Sequence, residues 1–417
     1  MVKEAIWDVI VVGGGPAGMM SAGVAGANGA KVLLIEKNAT LGQKLLITGG
    51  GRCNITNAEF DNRKFLAKMK NDRKFLFSAF SQFSVKNTLD FFHNKGLDTK
   101  VENELRVFPT SEKAEDVFAV LIKYMKDNGV EVLSNTSVSE ILKDSNEITG
   151  VKLSDSKILK AKSIIIATGG TSHPETGSTG DAFKWLADIG HKVETPKASL
   201  VPVAIKDLWV KKLAGLTLQD IKISIFQNEK KISFKKGRLL FTHFGVSGPT
   251  ILNMSRDIGE LLKYGEVIIS LDLLPKQDYG VLNKTLQDLF AKNDKKKLAN
   301  ALADLIPGAL AETIVELSEI PKDKKCHSIT REERLSLVQL LKNIPLRVDK
   351  LLGVEKSIVS SGGVSLDEVD FKTMRSRLFP NLYLVGDILN IDRPSGGYSL
   401  QLCWTTGFVA GSWVGKK

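Results

Sequence analysis

Three glycines and one acid carry the first recognisable chemistry in the chain. Gly13, Gly15 and Gly18 stand at G-x-G-x-x-G spacing, with Pro16 and Ala17 between them, and Glu36 follows 21 residues after Gly15. Glycines so spaced allow a tight turn, a close approach of backbone to a pyrophosphate, and close packing of a helix on a strand. The acid supplies acceptors for ribose hydroxyls. The elements that must position these residues are present in order. Asp8 to Val12 is an apolar, β-branched run, as expected of a strand buried on both faces of a parallel sheet. Ala17 to Asn28 reads as a helix of small residues whose free N–H groups would face phosphates, and Lys31 to Ile35 as a second strand. A lone G-x-G-x-x-G is weak; strand, glycines, helix, strand and acid in succession point to a dinucleotide site.

The run Lys37 to Asn57 sets Gly49-Gly50-Gly51 among Thr48, Arg52, Cys53, Asn54 and Asn57. That composition suits a loop wrapping a flat polar ligand through its backbone N–H groups. A plain surface turn seldom needs three glycines with Arg and two Asn. Cys53 is expected as a small residue beside the ligand and not as a nucleophile, since no His lies nearby in sequence.

Residues 62–127 read as largely helical, interrupted by 105–110, and short strands are expected at 130–133, 137–142, 148–153 and 158–160. Ser163 to Thr171 repeats the pattern of a buried strand ending in small residues. It would place Ala167, Thr168 and Gly169 at the carboxyl end of the sheet, where ligands of open α/β folds bind. From about Val193 the apolar runs become strand-like (201–205, 221–226, 231–234, 238–242, 266–271) and are separated by turn residues, which predicts an antiparallel, barrel-like second domain. Between two of these strands, His243 and Ser247 could meet a substrate, or could belong to a structural turn leading into a helix. Residues 276–342 read as a small, Lys-rich helical insert.

The C-terminal stretch returns to the first domain. Leu382 to Asp387 is a further buried strand ending in Gly386-Asp387, with Asp387 placed to accept hydrogen bonds from a sugar or ribityl chain. Gly396 and Gly397 let backbone come close before a helix from Ser399 to Val414. The N-terminus of that helix, with Gln401 in its first turn, is expected to address the cofactor ring. A site assembled from both chain ends suits FAD better than a nicotinamide, because the ribityl-flavin half needs more wall than one βαβ unit supplies. The expected organisation is α/β: a two-segment Rossmann-like FAD-binding domain (1–192 and 343–417), an inserted β-barrel-like substrate domain (193–275) and a helical insert (276–342).

Composition bounds the partners. The formal charge is +11, from 58 Lys and Arg against 47 Asp and Glu. The lysines are scattered along the chain, with no basic arm or Arg-rich helix, so a solvated basic surface is expected and a nucleic-acid partner is not. A small anionic substrate stays compatible. No run of about 18 apolar residues is present to span a membrane, and the N-terminus has no signal-peptide pattern. Three separated cysteines without C-x-x-C argue against a disulfide framework and fit a reducing cytoplasm. No metal is expected, since Cys326 and His327 lack companions at ligand spacing.

The chain resembles the YhiN/BaiN-like flavoproteins, also labelled aminoacetone-oxidase-like or NAD(P)/FAD-dependent oxidoreductases. The resemblance is carried by residues 8–18, Glu36, Thr48 to Asn57, Ala167 to Gly180, Thr242 to Pro249 and Leu382 to Gly407. The combination Ile47-Thr-Gly-Gly-Gly-Arg-Cys-Asn-Ile-Thr-Asn57 is its most specific part. The resemblance implies FAD held by Gly15, Ala17, Glu36, Lys44, Arg52, Cys53, Asn54, Val138, Gly169, Asp387 and Gly397. To these the residue pattern adds Gly13, Pro16, Gly18, Lys37, Thr48, Gly50, Ala167, Thr168, Gly386, Gly396 and Ser399. The sequence departs from the family at Asp387 (often Glu there), Asn390 (often Asp), Arg393 (often Gly) and Ser399 (often Asn). The implied activity is hydride transfer between flavin N5 and a small organic substrate in a cleft between the two larger domains. NAD(P)H would serve as a transient donor, since no second G-x-G-x-x-G unit is present. The alternatives are oxidation of a small, aminoacetone-like amine, and a flavoprotein that binds RNA or protein.

Overall fold

The structure, a computed structural model, describes residues 6–69, 72–352 and 359–414. The chain forms two compact units, Met1–Ser199 with Val354–Lys417, and Leu200–Gly353.

The first unit is built on a nine-stranded sheet. Its middle is parallel: Glu131–Leu133, Val32–Ile35, Trp7–Val12, Ile158–Ile166 and Leu382–Leu384 lie side by side. Val9, Ile10, Val11 and Ile164 to Ile166 are fully buried, as a strand covered on both faces requires. Val138–Asp144 and Glu147–Leu153 extend the sheet as an antiparallel ribbon, and Thr56–Asn57, Arg106–Pro109 and Thr99–Glu102 make a separate small sheet. The two chain ends are joined by helix packing. A side chain at Gly407 or Gly411 of the C-terminal helix Tyr398–Trp413 would meet Ala17 O or Ser21 O at 2.6 Å, so only glycine lets it lie against the first helix, Pro16–Ala27. That contact carries the C-terminal segment to the dinucleotide motif.

The second unit is a closed six-stranded barrel. Its strands run in the order Val203–Ile205, Gly245–Ser247, Lys230–Thr242, Thr217–Gln227, Val267–Asp272 and Ile344–Leu351, the last pairing with the first. Ile221, Ile223, Ile225, Ile269 and Leu346 fill it. Four helices between the last two strands share the same core, among them Tyr279–Lys292 and Arg331–Lys342. Asp278 and the Thr330–Glu333 capping box start those two.

Three expectations differ from this architecture. The strands read at 158–160 and 163–166 are one, Ile158–Ile166, and those at 231–234 and 238–242 are one, Lys230–Thr242. Polar Lys235-Lys236-Gly237 resembled a turn, yet the ladder runs through it. The real hairpin turn is Asn228-Glu229, both left-handed (φ 50° and 61°), as a two-residue loop requires. Residues 62–127, read as largely helical, also contain the strand Thr99–Glu102. The unit boundaries fall at 199/200 and 353/354, not at 192/193 and 342/343. Val193–Ser199 pairs with Val359–Val364 inside the first unit, and Ile344–Leu351 closes the barrel. Strand composition looks alike in both settings; only the pairing partner distinguishes them.

Candidate functional site

The strand Trp7–Val12 ends at Gly13, whose φ of +105° and close approach to Ala167 O (2.6 Å from an ideal Cβ) exclude any other residue. A Cβ on Gly18 would sit 1.9 Å from Gly13 O, so this glycine serves the packing of helix on turn. Gly15 is different: no protein atom comes within 4 Å of its would-be side chain. Its glycine is explained by something outside the chain approaching the helix N-terminus, which carries no side-chain cap. Glu36 is buried at the end of its strand. Its Oε2 accepts from Gly14 N at 2.7 Å and its Oε1 from Asn38 N at 2.8 Å, which fixes the carboxylate with lone pairs to spare.

These residues line one cavity of the first unit. Gly13, Gly15, Pro16, Ala17 and Glu36 line it, and so do Val138, Ala167, Thr168 and Gly169. Thr168 Oγ1 is buried there without a hydrogen-bond partner, as is Asn54 Oδ1 elsewhere in the unit. A buried polar atom left unmatched is costly unless a ligand matches it. The open approach at Gly15, the unmatched Thr168 hydroxyl and the ribose-type acceptor together fit FAD. Lys37 closes one side, donating to Thr179 Oγ1 (2.5 Å) and Asp181 Oδ2 (2.9 Å).

Lys44, Thr48, Asp387 and Ser399 line the far corner, with Cys403. Lys44 donates to Ser172 Oγ at 2.5 Å and stands 3.5 Å from Asp387 Oδ2. Behind Asp387 lies Arg393, only 4% exposed. Its guanidinium donates to Asp387 Oδ1, to Ser399 Oγ at 3.0 Å and to Ile391 O at 2.7 Å. Burial pushes the Asp387 carboxyl up, but the charges of Arg393 and Lys44 outweigh it and hold the group below the usual carboxylate range. Two cations against one carboxylate leave the corner net positive. Arg393 was expected to flank the flavin edge but was not among the residues expected to hold the cofactor. The sequence signal for it was the departure itself, an arginine where the family often has glycine.

The remaining expected residues do not line the cavity. Gly386 (φ +70°) packs on Ala17, and a side chain on Gly397 would collide with Thr56 backbone at 2.3 Å, so both hold the C-terminal segment in place. Gly396 and Gly50 are left-handed turn residues. Arg52 grips Glu102 with both terminal nitrogens (2.9 and 3.2 Å) and lies 4.0 Å from the centroid of the Phe108 ring. Cys53 is buried, and burial pushes its thiol up to about 12, which removes it as a nucleophile. Gln401 sits in the first helical turn, as its spacing predicts, but does not face the cavity. Its side chain accepts from Thr56 Oγ1 (2.6 Å) and donates to Thr88 and Thr405 hydroxyls (2.8 and 3.0 Å). His243 and Ser247 belong to the barrel: His243 is exposed on the turn between two strands, edge-on to Phe244, and Ser247 pairs with Leu240. Among the described residues no His, Cys, Asp and Glu cluster could hold a metal ion, and no helix is long and apolar enough to cross a membrane.

A parallel sheet with a dinucleotide cradle completed by the C-terminal segment, carrying an inserted barrel, defines an FAD-binding flavoenzyme. The chain belongs to the family described as HI0933-like protein Rossmann domain, whose profile matches residues 7–413, and it is an FAD-dependent oxidoreductase. It is 28% identical over 404 residues to a 3-dehydro-bile acid delta(4,6)-reductase of Clostridium scindens, covering 96% of this chain and 97% of that one. It is equally 28% identical to a ribosomal RNA dihydrouridine synthase of Escherichia coli, covering 97% and 96%. Among solved structures, its fold is similar to a flavocytochrome c3 fumarate reductase (TM-score 0.55, 16% identity, 98% of this chain and 78% of that one). It is also similar to a 3-ketosteroid-delta4-(5alpha)-dehydrogenase of Rhodococcus jostii (TM-score 0.53, 14% identity, 100% and 99%).

Proposed function

We propose that the protein reduces a carbon–carbon double bond conjugated to a carbonyl, with NAD(P)H as transient electron donor. The observation that carries this reading is the cavity with its net-positive corner, where Lys44 and Arg393 outnumber Asp387. Support comes from the names of two relatives, a 3-dehydro-bile acid delta(4,6)-reductase and a ribosomal RNA dihydrouridine synthase. FAD, when bound, supplies hydride exchange at N5. The chain's own task is to hold it: Glu36 would accept from the ribose, Gly15 and the helix start would face the pyrophosphate, and Asp387 would accept from ribityl hydroxyls. Reduction also requires a proton at the second alkene carbon, and His243, exposed on its turn, is the candidate donor, with Ser247 four positions further on. His243→Ala is then expected to lower turnover per bound flavin about 100-fold, the scale of general acid catalysis, at unchanged FAD content. Equal turnover would assign the turn a structural role.

The test of the donor is stopped-flow reduction of the bound flavin by NADH, by NADPH and by a panel of small amines. Rapid bleaching by a nicotinamide with none by amines is expected. Bleaching by an amine alone would replace the reductase reading with that of an amine oxidase.

A further inference from the structure

Two side chains of the cavity's far corner are gripped by a third that does not line it. Asp387 and Ser399 line the cavity, and Arg393 stands behind them. Its guanidinium donates to Asp387 Oδ1, and its Nε donates to Ser399 Oγ at 3.0 Å. A further bond, to Ile391 O at 2.7 Å, ties the same group to the loop that carries it. The Arg393 side chain is only 2% exposed, so little water competes for these donors. The planar fork of an arginine fixes the angle between the groups it grips, which a lysine ammonium would not.

The direction of these bonds decides what each neighbour can offer. Asp387 is held as the carboxylate and can only accept. Its Oδ1 is taken by Arg393, while Oδ2, 3.5 Å from Lys44 Nζ, keeps lone pairs free. Ser399 is the reverse. Its oxygen already accepts from Arg393, and its own O–H makes no hydrogen bond among the described residues, so that proton is left to donate. Accepting from a cation also makes the hydroxyl a stronger donor. The backbone before it is fixed as well: a side chain on Gly397 would sit 2.3 Å from the carbonyl carbon of Thr56. One acceptor and one donor therefore stand at the same corner, both held by one buried side chain.

We propose that Arg393 is a positioning residue for the ribityl–flavin half of FAD, acting through both neighbours at once. Asp387 accepts from a ribityl hydroxyl, and the Ser399 hydroxyl donates to an acceptor on the same half. A polyol suits such a pair, because each of its hydroxyls both donates and accepts. Neutralising Asp387 would need no bond to Ser399, and that second bond is what marks Arg393 as more than a counter-charge. This role rests on the reading that places the ribityl chain at Asp387, and it is independent of the substrate.

The experiment is calorimetric titration of the FAD-free full chain with FAD and with ADP, which carries adenosine and a pyrophosphate but neither ribityl nor flavin. Ser399→Ala should weaken FAD binding about tenfold, the scale of one hydrogen bond, and Arg393→Met about 30-fold, the scale of one involving a charged group. The double variant should be no weaker than Arg393→Met, because the serine is held only while the arginine grips it. ADP affinity should stay within about twofold of wild type in all three, as for a site remote from the change. Ser399→Thr, which keeps the hydroxyl, should retain the FAD affinity that Ser399→Ala loses. An arginine that is merely structural would lower ADP and FAD binding together, and that result would overturn the proposal. Losses that multiply in the double variant would overturn it too. Should Arg393→Met fail to fold, the serine pair decides alone: FAD affinity equal in Ser399→Ala and wild type would refute the role. Wild type that binds ADP as tightly as FAD would overturn the placement of the ribityl chain, and the role of Arg393 with it.

Discussion

Positive charge is handled in opposite ways in the two units. In the first unit the cations at and near the cavity stand against acids: Lys37 against Asp181, Arg52 against Glu102, and Arg393 and Lys44 together against Asp387. On the barrel hairpin, Lys222 and Lys231 flank the exposed Phe234 ring, and Lys236 stands directly opposite Lys222. Of the matched pairs, the buried one, Arg393 with Asp387, fixes geometry at the cavity. An exposed cluster of like charges facing each other across a strand pair lowers stability. The contrast separates a buried pair that holds from an exposed cluster that strains, and it can be broken at either end.

The largest effect is expected at the buried pair. Asp387→Asn leaves the Arg393 guanidinium buried without its counter-charge and should destabilise the apoprotein by about 3–5 kcal/mol. Adding Arg393→Met should recover much of that, because the second charge is then gone as well. Chemical denaturation of both variants decides, and an additive loss would show that the pair does not act as a unit. Next, Glu36→Ala should weaken FAD retention by roughly 1.5–3 kcal/mol, the scale of a hydrogen bond to a charged group, with the fold intact. Unchanged FAD affinity would place the ribose elsewhere.

A smaller effect concerns His191, buried in the first unit between Glu368 (2.7 Å) and the Ser376 hydroxyl (2.9 Å). Burial lowers its pKa against the pull of Glu368, so the fold favours the neutral ring. The unfolded chain therefore takes up the proton first as pH falls through about 6.5. Stability is full above that pH and declines below it. Thermal midpoints that stay flat through this window would exclude His191 as the source. Smallest, and opposite in sign, is Lys222→Gln: relief of the charge facing Lys236 should raise stability by about 0.2–1 kcal/mol. A loss in its place would mean that the lysine is matched after all.

Much of the cavity lining was legible because its determinants are local. A strand, three glycines, a helix and an acid within residues 8 to 36 specify their own geometry, and the structure sets Gly13, Gly15 and Glu36 about one cavity. Asp387 was legible for the same reason, as an acid at a strand end. Arg393 was not, because its partners Asp387 and Ser399 are settled by how a loop folds back, which spacing does not encode. The charge cluster was hidden in a different way. Along the chain the lysines look scattered, and only the register of one hairpin brings Lys222 opposite Lys236, 14 positions away. The same long-range pairing hid the true ends of the barrel, since Ile344–Leu351 becomes a barrel strand by closing on Val203–Ile205.

The central claim, that the flavin of this protein delivers hydride to a conjugated double bond, is tested most directly by the oxidative half-reaction. FAD-loaded protein is reduced without oxygen and mixed with an α,β-unsaturated ketone, with uridine-containing RNA, or with the saturated counterpart of each. Recovery of the oxidised flavin spectrum with an unsaturated partner, one equivalent of saturated product per flavin, and no recovery with the saturated controls is the predicted result. Flavin that stays reduced with every such acceptor, and recovers only when oxygen is admitted with release of hydrogen peroxide, would contradict it.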